Sequence, residues 1–126
     1  NCDWSSDVCS SDLDSSEEAI RRGWQRRMDE LRTYGDIHNR NILFTELGYN
    51  QSHRAPIQPW DYATDGDDAR PVQIACMRAA LQAIKEEERI VGALLWKWFP
   101  HPRPTGRNFQ LAAPHLRAVI AEAWQD

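Results

Sequence analysis

Apolar residues from residue 16 onward alternate between a helical and a strand-like period. Ile20, Trp24, Met28 and Leu31 recur at helical spacing while Arg21, Arg22, Arg26, Arg27 and Asp29 fall largely elsewhere, which predicts an amphipathic helix with a solvated charged face. Ser15-Ser16-Glu17-Glu18 ahead of it has the form of a capping box, with Ser15 as N-cap and Glu18 reaching back to its amide. Gly35 is placed to end the helix as the first residue beyond it. The period then changes. Ile42-Leu43-Phe44-Thr45-Glu46-Leu47, bounded by Asn-Arg-Asn and by Gly48, reads as a strand buried on both faces, with Ile42, Phe44 and Glu46 sharing one face.

Pro71 suits the first turn of a second helix, whose stripe is Val72, Ala75, Cys76, Ala79, Ala80, Ala83 and Ile84. Glu86-Glu87-Glu88-Arg89 closes it as a solvated charge run. Ile90 to Trp98 forms a second apolar strand with Gly92, Leu94, Trp96 and Trp98 on one face. Pro114 opens a last helix with Leu116, Val119, Ile120, Ala123 and Trp124 as its buried stripe. The order helix, strand, long loop, helix, strand, long loop, helix predicts an α/β fold with right-handed crossovers and a parallel sheet. Two strands cannot close a barrel or cover their own edges, so residues 14–126 are expected to be part of a larger domain.

Composition changes this picture little, except at the start of the chain. Asp3 to Leu13 reads Asp-Trp-Ser-Ser-Asp-Val-Cys-Ser-Ser-Asp-Leu, a peptide that the bases of a common short-read sequencing adapter spell in frame. Residues 1–13 are therefore read as an artefactual or disordered tail and set aside, and Cys2 and Cys9 with them. Cys76 then stands alone, a small buried hydrophobe rather than a nucleophile or ligand. A formal net charge of −4 without a basic stripe argues against nucleic-acid or anionic-membrane partners. No segment has the apolar length to span a bilayer.

Glu46 is the strongest candidate for chemistry: a carboxylate at the carboxyl end of a parallel strand sits where open α/β sheets and barrels place their reactive groups. The competing reading is an ion pair at a strand end. The irregular stretch from Gly48 to Arg70 is too long for a mere connection. Its Asn50, Gln51, Ser52, His53 and Arg54 are suited to holding hydroxyl groups, and Trp60 could cover an apolar ring face or plug the loop against the rim. Trp96 and Trp98 offer flat faces of the same kind, or fill a core. His38, His53, His101 and His115 lack partners at ligand spacing, so no metal site is supported.

Together, Phe44-Thr45-Glu46-Leu47-Gly48-Tyr49, Ser52, Pro59-Trp60, Gln73 and Gly92-Ala93-Leu94-Leu95-Trp96-Lys97-Trp98-Phe99 resemble the carboxyl-terminal part of glycoside hydrolase family 113, the (β/α)8-barrel (TIM-barrel) β-mannanases and their relatives. The resemblance covers nearly all of Asp14 to Asp126 and implies the last two βα units of the barrel. It implies that Glu46 is the nucleophile of a retaining mechanism, with an acid/base glutamate on strand four, outside this chain. It further implies that Tyr49, Asn50, Ser52, Trp60, Trp96 and Trp98 bind a polysaccharide or oligosaccharide, with no cofactor. Leu47 stands where isoleucine is usual, and the stretch from Asn108 to Pro114 departs from the family pattern. Two other readings are a glycan-binding or structural barrel without catalysis, as in a phage-like particle, and a barrel of different hydrolytic specificity.

Overall fold

The structure is a computed structural model and describes residues 16–60, 67–99, 101 and 110–125. Residues 1–15, with the tail and Ser15, lie outside them, as does most of the second long loop.

Helix α1 spans Glu17–His38. Its N-cap is Ser16 rather than Ser15: the Ser16 hydroxyl accepts from the Ala19 amide, and Glu17 and Glu18 in the first turn face the positive end of the helix dipole. Gly35 does not end the helix. The chain turns at Asn39, in the left-handed region with φ 48°, where the amides of Asn39 and Arg40 return to the carbonyls of Asp36 and Gly35, a Schellman closure. Gly35 is buried for another reason. A Cβ there would come within 2.9 Å of the Arg40 carbonyl oxygen and 3.2 Å of Arg89 Cδ, so the glycine admits the chain that starts the next strand.

Strand β1, Ile42–Leu47, and strand β2, Ile90–Leu95, pair in parallel across helix α2, Arg70–Glu86, which follows a short 3-10 turn at Asp67–Ala69. Helix α3 spans Pro114–Trp124. All three helices contribute to one apolar core with Phe44, Leu47 and Ile90. Leu43, Val91 and Leu94 are instead exposed and mark a face of the sheet that no described element covers. The strands are therefore packed on one face only. This arrangement of three helices and two parallel strands is consistent with part of a barrel.

Helix α2 is buried more widely than its alanine stripe predicts. Gln73, Met77 and Leu81, at i, i+4 and i+8, are fully buried beside Cys76 and Ala80, because α2 packs against α1, α3 and β2 at once. Cys76 is the buried hydrophobe expected, and burial pushes its thiol pKa up. Two helix-end expectations need correction. Trp124 is exposed rather than part of the α3 stripe, and Glu87 is buried rather than solvated. The strand also ends at Leu95, short of Trp98.

Glu87 is held by Arg32 of α1, whose Nε and Nη2 donate to Oε2 at 2.8 and 2.6 Å, while the Arg89 amide donates to Oε1 at 3.2 Å. Arg89 Nε in turn donates to Asp36 at 2.8 Å. Hydrogen bonds from Arg32 hold the Glu87 carboxyl below its ordinary range, against the opposing effect of burial. A depressed folded-state pKa adds stability above the unfolded value of about 4.3, and that contribution is lost as pH falls through the folded value. Urea midpoints measured across this acid range should fall, and Glu87→Gln should flatten the slope and remove about 1–2 kcal/mol at neutral pH. An unchanged acid slope in the variant would assign it to other carboxyls.

Candidate active site

The carboxyl ends of β1 and β2 meet at one end of the sheet. The Trp96 amide donates to the Leu47 carbonyl at 2.8 Å, which extends the ladder one step past β2 and sets Trp96 beside the strand end that carries Glu46. Between Phe44 and Leu47 the register slips: Phe44 pairs with Ala93 and Leu47 with Leu95. Three steps on β1 thus oppose two on β2, as in a bulge. Phe44 and Leu47 both enter the core, and Thr45 and Glu46 are both left exposed. The expected alternation therefore fails. Phe44 turns to the helices, where its ring meets that of Trp24 edge to face at 6.0 Å, while Glu46 stands clear of them. Among the described residues the Glu46 carboxylate has no hydrogen-bond or ion-pair partner.

The loop after β1 is fastened by the side chains that the sequence offered as ligand contacts. Tyr49, Asn50 and Ser52 are buried, at 6%, 0% and 3% exposure. A loop without ladder partners has buried polar groups to satisfy, and these side chains do so. Asn50 Nδ2 donates to the Gln58 carbonyl at 3.1 Å, the Ser52 hydroxyl donates to Asn50 Oδ1 at 2.8 Å, and the Arg54 amide donates to Ser52 Oγ. Tyr49 is tied twice. Its hydroxyl accepts from Trp24 Nε1 at 3.2 Å, and its carbonyl accepts from Gln73 Nε2 at 2.9 Å. Burial pushes the Tyr49 phenol pKa up, so it stays protonated.

The tryptophans remain accessible. Trp60, Trp96 and Trp98 are 47%, 39% and 46% exposed, so none fills the core formed by the described residues. Lys97 Nζ lies 5.1 Å from the centroid of the Trp96 ring, a cation–π contact that steadies the indole. On the loop, His53 Nε2 and Asp68 Oδ2 are 2.9 Å apart and both residues are exposed. The imidazole holds the Asp68 carboxyl below its usual range. This end of the sheet thus presents a carboxylate that is unpartnered among the described residues, with the exposed Trp96 beside its strand end and a pinned loop after it. Such a set suits a pyranose ring, whose axial C–H groups stack on indole and whose anomeric carbon can meet a carboxylate.

Sequence reasoning missed Gln73 as a structural tie, along with the Trp24–Tyr49 bond. The signal for Gln73 was present, as a lone amide in an apolar row with Met77 and Leu81. Among the described residues no helix is long and apolar enough to cross a membrane.

A family model described as Glycoside Hydrolase Family 113 matches residues 2–108. The matched span reaches back through the stretch read above as an adapter remnant and ends before α3. No curated protein and no solved structure matches the chain.

Proposed function

Because the chain belongs to glycoside hydrolase family 113, we propose that it supplies the nucleophile side of a retaining, β-mannanase-type active site, with Glu46 as nucleophile. The observation that carries this reading is the exposed Glu46 carboxylate, unpartnered among the described residues, at the carboxyl end of β1, next to Trp96. In this reading β1 and β2 are the last two strands of a (β/α)8 barrel, and the uncovered sheet face with Leu43, Val91 and Leu94 is the one that the other strands enclose.

Retaining hydrolysis needs a second carboxyl about 5–5.5 Å from the first. It comes from a strand outside this chain. A Glu46 oxygen attacks the anomeric carbon and forms a glycosyl ester as the bond to the leaving sugar oxygen breaks. The second carboxyl gives that oxygen its proton. Water, deprotonated by the same group, then attacks the anomeric carbon and releases Glu46. Trp60, Trp96 and Trp98 stack on sugar rings, while Tyr49, Asn50 and Ser52 act from below by holding the loop in shape. A 2-deoxy-2-fluoro-mannoside with a good leaving group should trap the ester in the complete enzyme, and peptide mass mapping should find the label on Glu46. A label on another carboxylate would overturn the assignment, and glycan binding without any label would favour a non-catalytic barrel.

A further inference from the structure

We infer that Gln73 is a positioning residue for Glu46, acting through the Tyr49 carbonyl, and that His115 holds the far end of its amide. This inference rests on the reading of Glu46 as nucleophile. Gln73 lies in the first turn of α2, on its packed face, and is 1% exposed. A buried amide is costly unless both ends are satisfied, and here both are. Nε2 donates to the Tyr49 carbonyl at 2.9 Å, and Oε1 lies 3.0 Å from His115 Nε2. The Tyr49 carbonyl can only accept, so a flipped amide would set oxygen against oxygen there, and with Oε1 thus turned to His115 the imidazole donates from Nε2. The amide therefore has one workable direction. Burial, with the charge of Arg70 adding to it, lowers the His115 pKa, and either protonation state still donates from Nε2.

The place of this clamp gives it a role beyond packing. Met77 and Leu81 occupy the next two positions of the same row, and an apolar side chain at residue 73 would fill similar space without a polar group to satisfy. What the amide adds is a fixed point on the chain just beyond Glu46. On the other side, the Leu47 carbonyl is held by the Trp96 amide, and the Tyr49 hydroxyl is held by Trp24. Gly48 is then the only residue between two anchored ones. Releasing the Tyr49 carbonyl lets Gly48 turn and moves the strand end, and reaction rates are steep in the position of a nucleophile.

Two measurements on Gln73→Met test the inference. Hydrogen exchange on the 126-residue chain should rise about tenfold for peptides covering Glu46 to Asn50, the change expected when one such bond is lost, with α1 and α3 unchanged. In the complete enzyme kcat should fall about tenfold to a hundredfold with KM nearly constant. His115→Ala, at a half-buried position, should shift both readouts in the same direction by less, and it decides the matter if Gln73→Met does not fold. Exchange that rises equally throughout α2 and α3, or a kcat within twofold of the parent, would reduce Gln73 to a packing residue. If Glu46→Gln leaves turnover intact, the nucleophile reading fails separately, and the exchange data still report whether the clamp holds the strand end.

Discussion

Replacing Glu46 with glutamine in the complete enzyme should lower turnover by about 10⁴-fold while leaving KM for a manno-oligosaccharide within a few fold. The two side chains have the same shape. Only the carboxylate can form the glycosyl ester, so the loss falls on a step made in the transition state and not on ground-state binding. Glu46 has no partner among the described residues, so the amide leaves none of their cations or donors unpaired. Glu46→Gly in the presence of azide supplies the complementary result. The anion occupies the vacated space, attacks the anomeric carbon from the nucleophile's side, and should restore turnover as a glycosyl azide of inverted configuration. Near-normal rates in Glu46→Gln would remove Glu46 from the mechanism.

The largest effect on stability is expected at Trp24. Its ring is buried and packs edge to face on Phe44, and its indole N–H is the donor to the Tyr49 hydroxyl. One side chain thus joins α1, β1 and the loop after β1. Trp24→Ala should cost about 3–5 kcal/mol, a large part of the roughly 5–15 kcal/mol available to a small domain. Trp24→Phe separates the two contributions. It keeps most of the apolar contact but leaves a buried phenol without its donor, for a cost of about 1–3 kcal/mol. Urea unfolding of both variants measures the difference. If the alanine variant lost no more than the phenylalanine variant, the hydrogen bond and not the ring would be the main support.

Much of the architecture was legible because it is periodic. The three helical stripes and the two apolar runs gave the order of elements, and Pro71 and Pro114 marked two helix starts within a residue. Ends were harder to read. Asn39 in a left-handed conformation closes α1 where Gly35 was the stronger signal, since glycine serves close approach as readily as it serves a turn. The exposed position of Glu46 was reached by a route that the pleat did not foretell, because a bulge has no mark in a single sequence. The polar residues of the loop are ambiguous for a related reason. Asn50 and Ser52 have the chemistry to hold sugar hydroxyls, and the same chemistry satisfies a buried backbone, so residue type alone could not separate the uses. Glu87 shows the limit from the other side. Whether an acid in a charge run is solvated depends on an arginine far away in sequence, here Arg32.

The central place of α2 also bears on how the chain reaches this state. β1 and β2 touch only after the entire loop and α2 have folded back between them, and such non-local pairing is slow because loop closure must come first. α2 meets α1, α3 and β2, and the strands can pair only once the chain between them has closed. Until then Ile42–Leu47 is an apolar segment with no neighbour to bond. The longer that interval lasts, the longer the segment is open to pairing with other copies before its own second strand arrives.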